Sequence, residues 1–379
     1  MKTPFQIHIG QSILDDLKAR LANTRWTDEI QDSNWKYGAD KTYLKDLCNY
    51  WQHEFDWRQQ EIKLNAFPQY KAIVEGTGIH FLYCRGEGKT SVPLLLIHGF
   101  PDSFVRFLKI IPLLTQADEN DFSFDLVIPS IPGYGFSDIP AKPGMDPGLV
   151  AKIFTRLMTG ELGYQTFFAH GGDWGSSIIA EMVLNDPGSL SGIHLTDMPF
   201  RYLLNPPPGD LTAPEKKFME QGRQWQQTEG AYAAIQSTKP QTLAYGLNDS
   251  PAGLAAWIIE MFHSWSDCNG SLDSCFTKDE LLTDITIYWV TQTINPAIRI
   301  YYETMQYIQR RPGTLSPKEG VPAAMAIFPK DLVNAPREFA ERLFNIKQWT
   351  KMPEGGHFAA MEQPGLLAED IRKFITALS

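Results

Sequence analysis

The stretch FFAHGGDWGSSIIAEMVL, residues Phe167 to Leu184, decides how the rest of the chain is interpreted. An apolar run of strand character leads into a glycine-rich turn, and apolar residues at helical spacing follow. A sharp strand–turn–helix connection of this kind exposes the residue at its apex, as a nucleophile requires. The apex here, with Gly171 and Gly175 two residues away on either side, is Asp173. The stretch therefore predicts chemistry in which a carboxylate stands where a hydroxyl is usual.

The composition predicts an acidic globular protein. The chain has 379 residues, of which 43% are hydrophobic, so it can bury a large core. Its 34 Lys and Arg against 44 Asp and Glu give a formal net charge of −10, which argues against nucleic acid and anionic membranes as partners. No apolar run reaches membrane-spanning length, and the first residues lack a signal segment. We expect a cytoplasmic protein without a membrane anchor.

The four cysteines do not form a recognisable framework. They are too few for a disulfide scaffold, and their spacing shows no zinc-like pairing. Cys268 and Cys275 are near enough in sequence to bridge, but reduced thiols are the expected state. We predict neither a metal nor a cofactor.

Strand patterns alternate with helical patterns along most of the chain. Residues 92–100, 124–129, 191–199 and 321–329 are apolar runs that end in Pro, Gly or polar residues, typical of buried parallel strands. Residues 11–58 predict mainly amphipathic helices, and residues 70–84 predict a hairpin. From residue 200 to 313 the pattern is helical. These alternations predict a mostly parallel sheet flanked by helices, with a helical lid insertion and an N-terminal helical segment that wraps the core.

The boundaries between these parts follow the changes of pattern. We assign residues 1–90 to an N-terminal segment packed on the core and residues 91–199 to the first part of the α/β core. Residues 200–313 are assigned to the lid, and residues 314–379 to the second part of the core.

A nucleophile on such a turn needs a base and a residue that orients the base. His357, in EGGHF, follows the last strand pattern and precedes the C-terminal helix. Asp331 lies at the end of the strand before it, where α/β sheets keep functional groups. Glu338 and Glu341 are rival acids, but they lie inside a predicted helix. The sequence therefore favours Asp173, Asp331 and His357 as nucleophile, acid and base.

An oxyanion hole completes the predicted site. In HGFP, the glycine permits close backbone approach, so the amide of Phe100 can act together with that of Trp174. Aspartate attack on an sp³ carbon leaves an alkyl ester on Asp173, which water activated by His357 can hydrolyse. A serine would give a stable ether instead. The substrate should therefore carry an electrophilic alkyl carbon, with oxygen or halide as the leaving group.

Several segments resemble one known family. LLLIHGFPDSF, PSIPGYGFSD, GGDWGS and GGHFAAMEQPGLLAEDIRKF are similar to the core of the epoxide hydrolases of the α/β-hydrolase superfamily. LANTRW and FDWRQQEIKLNAFPQY resemble the N-terminal region of their microsomal and juvenile-hormone branch. The resemblance implies an α/β-hydrolase fold, hydrolysis of an epoxide to a vicinal diol and the triad Asp173, Asp331 and His357.

The resemblance also implies two tyrosines in the lid that donate hydrogen bonds to the epoxide oxygen. GAYAAIQSTKP is similar to the first lid site and gives Tyr232, and IRIYYE is similar to the second and gives Tyr301. Tyr302 is the alternative if the register differs by one. Phenols near pKa 10 can protonate the opening ring without being ionised at neutral pH. The implied partners are a small apolar epoxide and water, and a homodimer is left open.

Two departures from the branch concern HGFPDS, where its members commonly have HGWPGS. Phe100 changes a side chain, whereas the predicted contact uses only its amide. Asp102 adds a charge beside the oxyanion loop, so its effect on the site needs an explanation. We also expect no N-terminal membrane anchor of the kind that some relatives have.

Two other functions compete with epoxide hydrolysis. A haloalkane dehalogenase also carries aspartate followed by tryptophan at the strand–turn–helix connection, here called the elbow (residues 170–176), but an asparagine would be expected where this chain has Phe100. The lid tyrosines favour an epoxide. A catalytically silent, hydrolase-like binding protein is the alternative from another class, and the joint presence of Asp173, Asp331 and His357 argues against it.

Overall fold

Nine strands form one sheet in the computed structural model, which describes residues 1–204, 206–207, 209–311 and 320–378. The order across the sheet is β1-β2-β3-β5-β4-β6-β7-β8-β9. The first three pair antiparallel, β3 joins β5 antiparallel, and the other pairs are parallel. The strands are β1 Thr3–Pro4, β2 Gln69–Val74, β3 Thr77–Cys84, β4 Thr90–Ile97, β5 Phe122–Pro129, β6 Phe167–Gly171, β7 Leu190–Leu195, β8 Pro322–Ile327 and β9 Asn345–Lys351.

Sixteen α-helices are found in the described part of the chain. The N-terminal segment and the core before the lid contain α1 Gln11–Ala22, α2 Lys41–His53, α3 Trp57–Asn65, α4 Ile111–Thr115, α5 Pro147–Arg156 and α6 Trp174–Asn185. Between β7 and β8 lie α7 Arg201–Leu204, α8 Ala213–Thr228, α9 Ala231–Thr238, α10 Pro240–Asp249, α11 Pro251–Trp265, α12 Lys278–Thr291 and α13 Ile294–Arg310. The C-terminal part adds α14 Arg337–Glu341, α15 Ala359–Glu362 and α16 Pro364–Thr376.

The apolar runs form the centre of the sheet. The last four residues of β4, Leu94 to Ile97, are fully buried, because parallel strands between helical layers have no solvent face. Strands β4, β6, β7 and β8 are consecutive neighbours, so the loops that leave their carboxyl ends meet at one edge. The HGFP loop, the elbow and Asp331 all follow these strands. The fold thus gathers distant sequence segments at a single site.

The N-terminal helices dock on the lid as well as on the core. The buried indole Nε1–H of Trp51, on α2, donates to the hydroxyl of Thr286 on α12 at 2.9 Å. Tyr50 donates to Asp279 at 3.0 Å, and Lys278 pairs with Asp46. The segment therefore connects two parts of the molecule that are far apart in sequence.

The predicted fold is confirmed, and so is the hairpin, which forms between β2 and β3. Its turn is tighter than predicted: only Glu75 and Gly76, both at positive φ, lie between the strands. No described helix has the length and apolarity to cross a membrane. The division into four parts stays a proposal, and the predicted end of the lid at residue 313 lies outside the described residues.

Candidate active site

Asp173 occupies a sharp turn between β6 and α6. Its φ of 57° is in the left-handed region, which is unusual for a residue with a side chain. Two glycines permit the turn. A Cβ on Gly171 would lie 2.8 Å from the backbone of Gly175, and a Cβ on Gly175 would lie 2.2 Å from the carbonyl oxygen of Ile97. The close approach of α6 to β4 therefore sets the position of the carboxylate.

Two backbone amides hold one oxygen of this carboxylate. Phe100 N–H donates to Oδ1 of Asp173 at 2.9 Å, and Trp174 N–H donates to the same oxygen at 2.7 Å. These are the two amides that the sequence analysis predicts for the oxyanion hole. Burial would raise the pKa of Asp173, but His357 and these amides lower it on balance. The carboxylate is therefore ionised at neutral pH.

The negative charge of Asp102, beside the oxyanion loop, is balanced by an ion pair. Its Oδ1 accepts the N–H of Gly99 at 3.0 Å, and its Oδ2 lies 2.7 Å from Nη1 of Arg106. Both side chains are buried. Arg106 also donates through Nη2 to the carbonyl of His357. The departure from HGWPGS thus introduces a buried ion pair that joins the oxyanion loop to the loop of the base.

His357 lies between the two predicted carboxylates. Its Nδ1 is 2.8 Å from Oδ1 of Asp331, and its Nε2 is 3.5 Å from Oδ2 of Asp173. Its amide donates to the carbonyl of Trp265 in the lid at 2.8 Å. Burial would lower the pKa of His357, but the charges of Asp331 and Asp173 and the hydrogen bond with Asp331 raise it to about 10. The imidazole is therefore protonated while Asp173 is charged.

Tyr232 on α9 and Tyr301 on α13 come together opposite the elbow. Their ring centroids are 5.9 Å apart, and the ring of Tyr301 meets that of Trp174 edge-on at 4.7 Å. Burial raises the pKa of Tyr232, and the charge of Asp173 raises it further. Burial likewise raises the pKa of Tyr301. Both phenols are therefore protonated donors at neutral pH.

These tyrosines and Asp173 line one cavity with about 1060 Å³ of empty space, its open mouth included. Most of the wall is apolar, and a polar group formed by Glu181, Arg201 and Tyr307 also lines it. Tyr307 donates to Glu181 at 2.7 Å, and Arg201 pairs with the same carboxylate. The apolar wall includes Met198, Leu203, Trp225, Met305, Ile308 and Val333.

The rival residues lie elsewhere. Glu341 pairs with Arg337 at the surface, and Glu338 accepts from Thr212. The side chain of Tyr302 is 38% exposed, whereas that of Tyr301 is 8% exposed. None of the three rivals lines the cavity. Cys268 and Cys275 are free thiols, as expected.

Asp197 is a residue of the site that the sequence did not predict. It follows β7, and its Oδ2 accepts the N–H of Asp173 at 2.6 Å. One ligand atom each from Asp197, Asp331 and His357 lie within 4.8 Å of one another, the one such group of potential metal ligands in the described residues. In this group, Nδ1 of His357 is already hydrogen-bonded to Asp331 and is therefore not free to bind a metal. A signal was available, since Asp197 is an acidic residue near the end of the run predicted as a strand, residues 191–199.

Two family models match this chain, and known protein sequences are similar to it. A family described as "Epoxide hydrolase N terminus" matches residues 2–107, and one described as "alpha/beta hydrolase fold" matches residues 92–249. The chain is 38% identical to a putative epoxide hydrolase of Stigmatella aurantiaca, over 98% of this chain and 84% of that protein. It is 37% identical to epoxide hydrolase 1 of Sus scrofa, over 99% of this chain and 88% of that protein.

Solved structures of epoxide hydrolases are similar to this chain over its whole length. The structure of juvenile hormone epoxide hydrolase from Bombyx mori aligns with a TM-score of 0.86 and 30% identity, covering 100% of this chain and 94% of that one. The Aspergillus niger epoxide hydrolase aligns with a TM-score of 0.86 and 31% identity, covering 100% and 97%. The similarity therefore includes the N-terminal segment and the lid as well as the core.

Proposed function

Because the chain belongs to the epoxide hydrolase family of the α/β-hydrolase fold, we propose that it converts a small apolar epoxide to a vicinal diol through an ester on Asp173. One observation carries the proposal. Oδ1 of Asp173 is held by two amides, while Oδ2 faces His357 at 3.5 Å. The carboxylate is thus arranged to attack with one oxygen and to be hydrolysed with its other oxygen already in the oxyanion hole.

In the first half-reaction, Oδ2 of Asp173 attacks an epoxide carbon and the carbon–oxygen bond of the ring breaks. The hydroxyls of Tyr232 and Tyr301 donate hydrogen bonds to the departing oxygen, and one of them transfers its proton to it. The product is a hydroxyalkyl ester of Asp173. Its carbonyl oxygen is Oδ1, which the amides of Phe100 and Trp174 already contact.

In the second half-reaction, His357 takes a proton from water, and the oxygen of that water attacks the carboxyl carbon of Asp173. The tetrahedral intermediate carries its charge on Oδ1, where two N–H donors stabilise it. The bond between the carboxyl carbon and Oδ2 then breaks, His357 returns its proton to the leaving Oδ2, and the diol departs. The water oxygen stays on Asp173, and the remaining carboxyl proton passes to His357, which restores the resting carboxylate and imidazolium. Asp331 orients the imidazole and balances its positive charge.

The charges also order the two steps. While Asp173 is ionised, the imidazole of His357 keeps its proton, because two carboxylates raise its pKa to about 10. Ester formation removes the charge of Asp173 and with it part of that shift. His357 therefore becomes a base only after the ester has formed. The proton that it loses neutralises the tyrosinate left by the first step.

A single turnover in oxygen-18 water tests this proposal. With enzyme in excess over an aryl epoxide, we expect the first diol to carry no label and the carboxylate of Asp173 to gain it. Label would enter the diol on later turnovers. Label in the first-turnover diol would show direct attack of water on the epoxide, and the covalent route would then be wrong.

A haloalkane dehalogenase and a silent binding protein are not favoured, since the relatives are named epoxide hydrolases. Measuring diol and halide release from matched substrates separates the two enzymatic functions. For location we keep the cytoplasm as a proposal, supported by four free thiols in the chain. A homodimer likewise stays a proposal, and light scattering on the purified protein tests it.

A further inference from the structure

Asp197 contacts the triad but has no part in the steps above. It follows β7, the neighbour of β8, and β8 leads to Asp331. Its Oδ2 accepts the N–H of the nucleophile Asp173 at 2.6 Å. This hydrogen bond holds the backbone at the residue whose φ is positive. Asp197 is therefore a side chain that directly restrains the elbow.

Three buried polar atoms at this place have no hydrogen-bond partner among the described residues. They are Oδ1 of Asp197, Oδ2 of Asp331 and Nε2 of His357. An oxygen of each carboxylate and a ring nitrogen of the histidine lie within 4.8 Å of one another. Two carboxylates at such a distance repel each other when both are charged. One proton between them removes the repulsion and supplies the missing donor.

We propose that Asp197 is a positioning residue for the hydrolysis step, and that it carries a proton on Oδ1 which it donates to the free Oδ2 of Asp331 in the resting enzyme. The inference rests on the function proposed above. The hydrogen bond orients Asp331 and withdraws part of its negative charge from His357. This lowers the proton affinity of His357. The imidazole can therefore lose its proton and act as a base once the ester has formed.

The surroundings of Asp197 agree with a protonated side chain. The titratable and polar groups that act on it are Asp331, His357, the hydroxyl of Ser176 and the amide of Asp173. Burial raises the pKa of Asp197, the charge of Asp331 raises it further, and the other three lower it, with a result of about 7. The neutral form of Asp197 is therefore favoured to a higher pH than in an ordinary aspartate.

Ionisation of Asp197 changes the hydrolysis step in a predictable direction. A second carboxylate charge beside His357 stabilises the imidazolium, so less of the ester intermediate carries the neutral base. Asparagine mimics the protonated acid, because its amide oxygen can accept from Asp173 while its NH₂ donates to Asp331. Asp197→Asn should therefore resemble the neutral form at every pH.

Infrared spectroscopy tests the protonation without any turnover. The difference spectrum between the wild type and Asp197→Asn at pH 6 should contain the C=O band of a protonated carboxylic acid. That band should vanish at pH 8.5. Asp284, a buried acid whose pKa is raised well above its ordinary range, provides the control, and its band in an Asp284→Asn difference spectrum should persist at pH 8.5. Absence of the Asp197 band at pH 6 overturns the proposal.

Single-turnover kinetics tests the role. We expect the ester-hydrolysis rate of the wild type to show an inflection near pH 7 that Asp197→Asn lacks, with the variant equal or faster above pH 7. Asp197→Ala should slow hydrolysis at least about tenfold at pH 6, because it loses both hydrogen bonds. Ester formation should change less than hydrolysis.

Superimposable profiles of the wild type and Asp197→Asn from pH 5 to 9 would overturn the proposed role. Equal hydrolysis rates in the alanine and asparagine variants would do the same. If Asp197→Ala fails to fold, the asparagine profile still decides. If no ester forms in any variant, the covalent function is wrong, while the infrared result continues to report on the shared proton.

Discussion

Tyr301 and Tyr302 are neighbours on α13 with opposite surroundings. The phenol of Tyr301 lines the cavity beside Trp174, whereas that of Tyr302 is 38% exposed. We expect Tyr301→Phe to lower the rate of ester formation by about tenfold to a hundredfold, since one of two donors to the leaving oxygen is lost. Tyr302→Phe should leave the rate unchanged. Stopped-flow fluorescence under single-turnover conditions measures both variants, and equal losses in the two would refute the assignment.

His357 is needed only for the second half-reaction in the proposed mechanism. His357→Gln should therefore form the ester and fail to hydrolyse it. Intact-protein mass spectrometry after addition of an epoxide should show a mass increase equal to one substrate molecule, located on the peptide that contains Asp173. The wild type treated in the same way should show little adduct at steady state. An unmodified variant would count against the role of His357 as base.

The pH dependence of ester formation follows from the same side chains. Asp173 must be ionised, and its pKa is lowered by His357 and the two amides in spite of burial. The tyrosines must be protonated, and burial raises their pKa values. We expect a rate constant for ester formation that is flat between about pH 5 and pH 9. A steep change within this range would mean that another group controls the first step.

At the scale of elements, α6 packs so closely against β4 that no side chain fits between them at Gly175. Gly175 is the second residue of α6, and an added Cβ would lie 2.2 Å from the carbonyl oxygen of Ile97. Gly175→Ala should displace the helix, lower the unfolding temperature and abolish activity, because backbone atoms cannot give way as a side chain can.

Gly365 is the matched control. It is the second residue of α16 and has no atom within 4 Å of an added Cβ. Gly365→Ala should be neutral or stabilising by up to about 1 kcal/mol. Thermal unfolding of the two variants against the wild type checks both expectations. Equal stability of Gly175→Ala and the wild type would mean that α6 can move away without cost.

The elements that the sequence predicted best are those with a strong local cause. β4 contains the continuous apolar run 92–97, β5 is rich in apolar residues, and Asp173 has glycines on both sides, so pattern alone indicated these elements. β1 has two residues and no pattern of its own; it exists because β2 provides its hydrogen bonds. The N-cap of α2, Asp40, is likewise visible only when the helix is known to begin after it.

The same difference between local and distant causes explains which residues of the candidate site could be predicted. Asp173 and His357 stand in glycine-rich turns that single them out, and the tyrosines were found only through the family resemblance. Asp197 is one acidic residue after one strand, and its importance depends on a hydrogen bond to Asp173 across two strands. Such a contact follows from strand order, which no local pattern contains. The pairing of Asp102 with Arg106 was also not predicted, although the two residues are only four positions apart.

At the scale of the whole molecule, the N-terminal segment secures the lid. Trp51 is 1% exposed and donates its indole N–H to Thr286, which is fully buried. Trp51→Phe leaves that hydroxyl without its donor and opens a small void, so we expect a loss of about 1–3 kcal/mol in the free energy of unfolding. Trp26→Phe, at a side chain that is 38% exposed, should change it little. Urea unfolding measures both, and equal midpoints would show that the contact is unimportant.

The contact between Trp51 and Thr286 also bears on how the protein is made. The two residues are 235 positions apart. At a synthesis rate of about 5–20 residues per second, the N-terminal helices leave the ribosome on the order of 10 to 50 s before their partner exists. Until then the indole of Trp51, which is buried in the folded protein, lacks its partner Thr286. The part of the chain that is made first is thus among the last to reach its final position.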